Sequence, residues 1–300
     1  MTNQKQILIS VILPTFNHAK YLKKAIESVI KQNYFNWELI IVDNNSIDET
    51  FEIVNSYSDS RIKYCKIQNN GVIAASRNLG IHLSNGSWIA FIDSDDWWVY
   101  NKLSKSVEYI KTEKFDLIYH DLYLVNKKNQ SNFKKLASSR RLHSPIYQDL
   151  ILKGNGILNS SVLVRKKILE EVELISCDIN KITWEDYDCW LRISKITNRF
   201  YYLKETLGYY WAAGGNMTNP DQDLKNAKSI YNVYVKDYYN YIPSWILLSE
   251  GKAFVKKGYI SEGISKFKKI TFTNYSVKEF TKAQLKIIQS FLSNIREFFV

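Results

Sequence analysis

Apolar residues along the first hundred positions follow two alternating periods. Short apolar runs that are rich in β-branched residues and end at turn residues predict buried strands over 7–13, 37–42, 62–67 and 88–92. Between these runs, apolar residues recur at helical spacing over 19–32, 46–56 and 72–83, and Ser46 with Glu49 forms a capping-box pattern. Strands that alternate with helices at this spacing predict a parallel sheet with helices on its faces.

The pattern loses this regularity after about residue 100. Apolar runs predict strands over 115–125, 159–164 and 200–211, with helices over 102–111, from about 166 and after 183. From residue 221 onward, helical spacing dominates. We therefore predict an α/β fold in which helices flank a mixed, mostly parallel sheet, followed by a C-terminal helical extension.

The chain length and the cysteines exclude several classes of protein. The 300 residues suffice for one large domain, or for one domain with an appendage. No apolar run approaches the roughly 18 residues of a membrane span and the N-terminus lacks a signal-peptide pattern, so we expect a soluble, cytoplasmic protein. Cys65, Cys177 and Cys189 are odd in number and widely spaced, which argues against a disulfide framework and against a zinc site.

The formal net charge of +11 is concentrated towards the C-terminus, where residues 221–300 hold about 13 Lys and Arg against about 7 Asp and Glu. A second basic stretch contains Lys127, Lys128, Lys134, Lys135, Arg140 and Arg141. A basic surface attracts phosphates, nucleic acids or anionic lipid headgroups, whereas a solvated lysine-rich surface needs no partner. Both interpretations stay open, and docking on an anionic membrane is one hypothesis.

Three carboxylates, those of Asp93, Asp95 and Asp96, lie in the first turn after the apolar run 88–92. Like charges this close raise one another's pKa or recruit a cation. Since Mg²⁺ binds through one or two carboxylates and substrate phosphates, this turn is a candidate site for a metal and a nucleoside diphosphate. An ordinary polar turn, in which Asp and Ser are favoured, explains the same residues.

Other polar positions converge on this turn. Ligands of open α/β sheets bind beyond the carboxyl ends of the strands, and that rule brings residues 14–15, 43–44 and 93–95 to one edge. A second acidic cluster follows Thr183 and consists of Glu185, Asp186 and Asp188. These acids either complement the dipole of a helix capped by Thr183, or supply a general base that faces the crevice.

Five blocks in order resemble the signature of the family 2 glycosyltransferases. They are Ser10-Val-Ile-Leu-Pro-Thr15-Phe-Asn17, Glu38-Leu-Ile-Ile-Val-Asp43-Asn-Asn-Ser46-Ile-Asp48-Glu-Thr50, Asn70-Gly71 with Ala75-Ser-Arg77-Asn78-x-Gly80, Asp93-Ser-Asp-Asp96, and Glu185-Asp186-Tyr-Asp188-x-Trp-Leu-Arg192. The blocks fall within about residues 7 to 215, which makes the resemblance specific. It implies a GT-A (Rossmann-like) glycosyltransferase domain over 1–219, with a nucleotide-binding half 1–100 and an acceptor-binding half 101–219, before a helical region 220–300.

The resemblance also implies a nucleotide-diphosphate sugar donor. Pro14, Thr15 and Asp43 would hold a uracil-type base, with Asp43 accepting from its ring N–H. Arg77 would lie near the base or the diphosphate, and Gly71 would allow close approach of the backbone. The complete set of donor-binding positions is Pro14, Thr15, Asn17, Asp43, Asn44, Gly71, Arg77, Asp93, Ser94 and Asp95.

The chemistry implied by the resemblance is a metal-assisted inversion at the anomeric carbon. Asp93 would contact the ribose, Asp95 would ligate Mn²⁺ or Mg²⁺, and Asp186 would deprotonate the acceptor hydroxyl. Many family members have a His near positions 209–218, where this chain has none. Asn216 or Thr218 would substitute through oxygen, or water would fill the position, so Asp95 is the one residue assigned to the metal.

The resemblance therefore predicts an inverting hexosyltransferase that moves a sugar, most simply from UDP, to a saccharide or a lipid-linked saccharide, as in the synthesis of bacterial surface polysaccharides or glycans. Two alternatives stay open: a catalytically silent nucleotide- or carbohydrate-binding relative, and a basic nucleic-acid-binding protein, which no recognised binding motif supports. We expect no nucleic-acid partner and peripheral contact with the inner face of an anionic membrane. The sequence leaves the oligomeric state open, a homodimer included.

Overall fold

The computed structural model describes residues 6–127, 130, 132–137, 139–213, 219–271 and 273–298. The chain divides into two compact units. The first unit is drawn from residues 1–147, 156–177 and 185–216, and the second from residues 148–155, 178–184 and 217–300. The second unit thus includes two short segments that precede the helical C-terminal region in the sequence.

The first unit contains a sheet of eight strands. The strands are β1 (Ile9–Thr15), β2 (Trp37–Asp43), β3 (Ile62–Lys66), β4 (Trp88–Phe91), β5 (Trp97–Trp98), β6 (Leu117–Val125), β7 (Leu163–Arg165) and β8 (Phe200–Trp211). Their order across the sheet is β3-β2-β1-β4-β7-β6-β8-β5. The pairs β1–β2, β2–β3, β1–β4 and β6–β8 are parallel, whereas β7 is antiparallel to β4 and β6, and β5 is antiparallel to β8. The predicted mixed, mostly parallel sheet is confirmed.

The helices follow in chain order. They are α1 (Ala19–Ile30), α2 (Thr50–Asn55), α3 (Ile73–Leu83), α4 (Lys102–Ile110), α5 (Ile146–Lys153), α6 (Lys166–Glu171), α7 (Glu185–Ile196), α8 (Pro220–Ile230), α9 (Ser244–Lys256), α10 (Ile260–Lys268) and α11 (Val277–Phe298). Short 3₁₀ turns lie at Asn159–Ser161 and Ile179–Lys181, and a π-helical turn at Tyr231–Val235 follows α8. No described helix has the length and apolar character needed to cross a bilayer.

The core of the first unit lies between the central strands and the helices on them. Every residue of β1, β2 and β4 is buried, which is why these strands read as continuous apolar runs rather than as alternating ones. Helix α1 buries Leu22, Ile26 and Val29 at helical spacing. Helix α3 approaches β1 closely at Gly80, where an added Cβ would lie 2.6 Å from Cγ2 of Ile12. A larger residue there would push the helix from the sheet.

The predicted capping box before α2 is wrong. The helix begins at Thr50 instead of Ser46, and Glu49 at the N-cap position makes no side-chain cap. The Ser46 hydroxyl instead donates to Oδ1 of Asp43 at 2.5 Å. The side chain of Asp48 accepts from the backbone N–H of Thr50 at 3.2 Å and from its hydroxyl at 2.6 Å. Ser46 therefore holds a turn after β2 and does not start a helix.

The second unit confirms the predicted helical C-terminal extension. Its core consists of Leu247 and Leu248 from α9, Ile264 and Phe267 from α10, Ile270, and Ala283 and Ile287 from α11. Gly251 in α9 faces the Phe267 ring so closely that a Cβ would lie 2.3 Å from Cε1. Helices α9 and α10 can therefore pack tightly at this point.

Candidate active site

Asp43 ends β2 at the carboxyl edge of the parallel strands, where its carboxylate holds two neighbouring segments. Oδ1 accepts from the Ser46 backbone N–H at 3.0 Å and from its hydroxyl at 2.5 Å, and Oδ2 accepts from the Tyr64 hydroxyl at 2.6 Å. Burial and the adjacent Asp43 raise the pKa of Tyr64, so this hydroxyl stays protonated and donates. Asp43 is fully buried. Its contact with a base stays a prediction, because both oxygens already have protein donors.

The loop after β1 is braced against the loop after β2. Asn17, in the left-handed region with φ of 49°, accepts from the Ile47 N–H at 2.9 Å, and its own N–H donates to Ser46 Oγ at 2.8 Å. Pro14 and Thr15 are buried at the end of β1. Among the described residues, the Thr15 hydroxyl has no hydrogen-bond partner. A bound ligand could satisfy this hydroxyl at the strand end.

Asn44 continues this network towards α3. Its Oδ1 accepts from the Asn69 N–H at 2.8 Å, and its N–H donates to the Thr15 carbonyl at 3.0 Å. Asn69 in turn accepts from the Gly71 N–H at 2.9 Å and donates to Ser76 Oγ at 2.7 Å. Gly71 adopts a φ of +82°, and no atom lies within 4 Å of the position a Cβ would take. The turn therefore uses glycine for its left-handed backbone and leaves open space beside it.

Arg77 joins the two acidic clusters of the sequence. From α3, its Nη2 donates to Asp93 Oδ1 at 2.8 Å and its Nη1 donates to Glu185 Oε1 at 2.5 Å. The side chains of Arg77 and Glu185 are 4% and 7% exposed, and that of Asp93 is 28% exposed. Asn159 Nδ2 also donates to Asp93 Oδ1, at 3.2 Å. The guanidinium thus binds two carboxylates, and its predicted contact with the donor stays a prediction.

The turn after β4 differs from residue to residue. Ser94 is buried, and its hydroxyl lies 2.8 Å from Nδ1 of His18. Asp96 is also buried, and its Oδ1 accepts from the Trp211 N–H at 2.9 Å. Burial, and then the charge of Asp93, raise the pKa of the partly exposed Asp95 to about 7. Burial, and then the charges of Asp95 and Asp93, also raise the pKa of Asp96. Because Ser94 and Asp96 are buried in contacts that fix the turn, Asp95 is the partly exposed carboxyl of the two whose pKa is raised, and a cation would favour its ionised form.

Asp186 lies at the start of α7, which begins at Glu185, so the helix follows Thr183 as predicted but Thr183 lies two residues before it rather than at the N-cap. Asp186 Oδ1 accepts from the Tyr187 N–H at 2.6 Å. Burial and the charge of Glu185 raise the pKa of Asp186 to about 7, although the charge of Arg77 acts in the opposite direction. A carboxyl group with a pKa near the working pH is suited to accept a proton from a substrate hydroxyl.

Tyr210 of β8 lies within the electrostatic range of both acidic clusters. Burial, followed by the charges of Asp96, Asp93, Asp95 and Asp186, raises the pKa of Tyr210 to about 12. The phenol therefore stays protonated at neutral pH, where it can donate to a carboxylate or to a substrate oxygen. Strand β8 thus brings a hydrogen-bond donor to the carboxylates.

The oxygen ligands at the carboxyl edge of the sheet suit a divalent cation that binds few protein side chains. Among the described residues, no three His, Cys, Asp or Glu side chains converge into a metal site. Mn²⁺ and Mg²⁺ can bind through one or two carboxylates and complete their shell with phosphates and water. Asp95 suits this role because burial and Asp93 disfavour its ionised form without a cation. Asn216 and Thr218, the predicted oxygen substitutes, lie outside the described residues.

Several residues at this edge have roles that the sequence does not predict. They are His18, Tyr64, Asn159, Glu185 and Tyr210. The role of Glu185 could have been suspected from the sequence, because Glu185 directly precedes Asp186, the residue assigned as the base. Asn159 carries none, because its contact with Asp93 spans 66 positions and depends on the packing of β4 beside the turn Asn159–Ser161.

Comparisons with known proteins agree with the fold. The family model described as "Glycosyl transferase family 2" matches residues 10–173. The chain is 32% identical over 191 residues to the UDP-Glc:alpha-D-GlcNAc-diphosphoundecaprenol beta-1,3-glucosyltransferase WfgD of Escherichia coli, which covers 64% of this chain and 71% of that protein.

Two solved structures share the fold. TarS 1-349 from S. aureus in complex with UDP-GlcNAc has a TM-score of 0.61 and 18% identity, over 95% of this chain and 81% of that one. The mannosyltransferase PcManGT from Pyrobaculum calidifontis in complex with GDP-Man and Mn²⁺ has a TM-score of 0.57 and 14% identity, over 96% and 86% of the two chains. Because the family model matches more than half of its length, this chain belongs to glycosyl transferase family 2 and is a glycosyltransferase with the GT-A fold.

Proposed function

We propose that the enzyme transfers a hexosyl unit from a UDP-sugar, with inversion at the anomeric carbon, to a hydroxyl of a lipid-linked saccharide during synthesis of a bacterial surface polysaccharide or glycan. The observation that carries the proposal is the buried pairing of Arg77 with both Asp93 and Glu185. This pairing ties the turn after β4 to the start of α7. The assigned donor residues and the assigned base thereby belong to one constellation.

The donor would bind along the carboxyl edge of β1, β2 and β4. The unpaired Thr15 hydroxyl and the turn at Gly71 leave groups and space for a nucleoside, and Asp43 and Asn44 hold the loops around it. Asp93 is partly exposed and would accept from a ribose hydroxyl through the oxygen that Arg77 does not bind. The name of the E. coli relative specifies a UDP-sugar donor, which supports UDP here.

Asp95 would hold the divalent cation together with the donor diphosphate. A bound Mn²⁺ or Mg²⁺ would neutralise the negative charge that grows on the departing diphosphate. Asp93 and Ser94 would keep the Asp95 turn in place through their contacts with Arg77, Asn159 and His18. The complex of a GT-A mannosyltransferase with Mn²⁺ supports this choice of ions.

Asp186 would take the proton of the acceptor hydroxyl. An inverting displacement needs one proton acceptor on the side opposite the leaving group, and no second nucleophile. The pKa of about 7 makes Asp186 a competent acceptor at neutral pH. Tyr210, protonated at this pH, would orient a substrate oxygen by donating to it.

The acceptor would be presented at a membrane surface. The E. coli relative is named for a diphosphoundecaprenol-linked acceptor, so a lipid-linked saccharide is the acceptor class we propose. The net charge of +11 favours a location at the cytoplasmic face of an anionic membrane with peripheral contact. The enzyme would then meet its acceptor without crossing the bilayer.

Release of UDP from UDP-glucose and UDP-GlcNAc in the presence of a diphospholipid-linked saccharide acceptor, with and without Mn²⁺, tests this function, and the anomeric configuration is determined on the glycoside formed. We expect Asp186→Asn and Asp95→Asn to lose roughly a hundredfold or more in rate, while Asp237→Asn, an exposed acid of the second unit, behaves as wild type. Thermal midpoints should stay within a few degrees, and the product should have the opposite anomeric configuration to the donor. Undiminished activity in both site variants, or retention of configuration, would refute the proposal.

A further inference from the structure

Helix α11 has an exposed apolar stripe. Val277, Leu285, Ile288 and Leu292 are 62%, 54%, 54% and 56% exposed. At 3.6 residues per turn they fall within a sector of about 80°, interrupted by the small polar Thr281. The opposite side of the same helix buries Ala283, Ile287 and Ser290 in the second unit. The exposed stripe is therefore separate from the core-facing side.

A row of lysines borders this stripe. Lys278, Lys282 and Lys286 recur every four residues and fall in the neighbouring sector of about 80°. Lys278 and Lys282 are exposed, and Lys286 donates to Gln289 at 2.7 Å. The facing acid on this helix is Glu279, whose carboxylate already accepts from Ser244 and Ser276. Lys282 lies within electrostatic range of this carboxylate, so among the described side chains of α11 three lysines face one acid and keep a net positive charge.

Helix α9 adds positive charge beside this row. Burial, and then the charges of Lys282, Lys286 and Lys256, lower the pKa of Lys252. Lys252 therefore lies within electrostatic range of two lysines of α11 and of its own neighbour Lys256 on α9. The facing acid is Asp223, whose pKa is raised by burial and lowered by Lys256 and Lys252. Three lysines from two helices thus repel Lys252, and an anionic partner would relieve this repulsion.

We infer that this surface, formed by Val277, Leu285, Ile288 and Leu292 with Lys278, Lys282, Lys286, Lys252 and Lys256, docks the enzyme on an anionic bilayer with α11 lying in the plane of the interface. A helix that combines an apolar stripe with a flanking basic stripe is the arrangement that binds at anionic lipid headgroups. The inference rests on the proposed function, because it names the surface through which that function would reach a lipid-linked acceptor.

A second copy of the chain is a poorer occupant of the same surface. The spacing of Leu285, Ile288 and Leu292 is compatible with a coiled-coil seam. Paired coiled coils, however, place charges of opposite sign along the seam, whereas the described charges that border this stripe on α11 are Lys278, Lys282 and Lys286. Two copies would bring like charges together, while an anionic bilayer would neutralise them.

Vesicle sedimentation of the full-length enzyme tests the surface. The probes are vesicles of phosphatidylcholine alone and vesicles containing about one third phosphatidylglycerol. The first variant carries Lys278→Gln, Lys282→Gln and Lys286→Gln. Its charge-matched control carries Lys111→Gln, Lys114→Gln and Lys167→Gln, three exposed lysines of the first unit.

We expect the wild type to bind anionic vesicles and not neutral ones. Because each lysine near an anionic surface contributes roughly a factor of five, the first variant should bind on the order of a hundredfold more weakly. The control loses the same charge from the first unit and should bind within a few fold of the wild type. Equal weakening in both variants would overturn the inference, since net charge alone would then explain binding.

The apolar stripe is tested by Leu285→Ser, Ile288→Ser and Leu292→Ser together, with Leu285→Ile, Ile288→Leu and Leu292→Ile as its conservative partner. The serine variant should lose vesicle binding, and the conservative variant should keep it. Loss of a dimer in the serine variant without any change in vesicle binding would instead identify a second copy as the occupant. Release of UDP from the donor in solution, measured on each variant, separates the two proposals, because this surface should not affect it.

Discussion

Replacing Arg77 by Met tests whether the guanidinium holds the two acidic segments together. The substitution keeps much of the side-chain volume but leaves Glu185, whose side chain is 7% exposed, without its cation. Removing one partner of a buried ion pair costs about 3–5 kcal/mol. Asp93 is 28% exposed and keeps the amide of Asn159, so we expect most of the loss to come from Glu185. Arg77→Met should therefore lower the free energy of unfolding by about 3 kcal/mol.

A double-mutant cycle isolates the pair from the general effect of substitution. Glu185→Gln removes the uncompensated charge, so Arg77→Met combined with Glu185→Gln should be more stable than Arg77→Met alone by about 1–2 kcal/mol. Urea unfolding at neutral pH measures both. As a control, Arg61→Met breaks a pair with Asp59 in which the side chains are 33% and 22% exposed, and it should cost about 1 kcal/mol. If the losses in free energy of unfolding from Arg77→Met and Glu185→Gln simply add in the double variant, the coupling between Arg77 and Glu185 is refuted.

Three further predictions concern buried or acidic groups. Burial lowers the pKa of Lys102, so the side chain of Lys102 binds its proton more tightly in the unfolded chain than in the folded one. Lys102→Met should therefore raise the free energy of unfolding, measured in urea at pH 7, by about 1–2 kcal/mol. The control Lys111→Met, at an exposed lysine, should leave it unchanged. Burial alone would raise the pKa of Glu38, but hydrogen bonds, that of Lys63 first, lower the pKa from 4.5 to about 2. The ionised Glu38 therefore stabilises the folded state above about pH 4.5, and this stabilisation is lost as the pH falls towards 2. In Glu38→Gln, the free energy of unfolding should fall less steeply with decreasing pH over this range. The rate of UDP release under subsaturating donor should rise with pH through about 7 as Asp186 loses its proton, and a rate independent of pH between about 5.5 and 8.5 would exclude Asp186 as the base.

The sequence predicts the central sheet because its strands have a simple physical signature. Strands buried on both faces are continuous apolar runs, as in β1, β2 and β4, and the carboxyl-edge rule then places their polar ends together. Strand β5 has no such signature, because two residues are too few for a period. Its pairing with β8 is visible in the structure alone.

Hydrogen-bond partners are harder to predict than positions. The pair of Ser46 and Glu49 fits a helix cap by spacing, yet the Ser46 hydroxyl donates to the carboxylate of Asp43 instead. Arg77 likewise fits a phosphate contact by residue type. Its partners lie 16 and 108 positions away, and local spacing carries no information on such distances.

The balance of charge at the carboxyl edge explains why fold and chemistry are coupled here. Asp93, Asp95, Glu185 and Asp186 carry up to four negative charges, and Arg77 supplies one buried positive charge that binds the first and third of them. Among the carboxyls that Arg77 does not bind, Asp95 and Asp186 have a pKa raised to about 7, and burial raises the pKa of Asp96 as well. Folding therefore pairs the carboxylates that hold the segments together and raises the proton affinity of Asp95 and Asp186. This suits the roles we propose for them, because a cation would relieve the charge repulsion at Asp95 and a raised pKa favours proton uptake by Asp186.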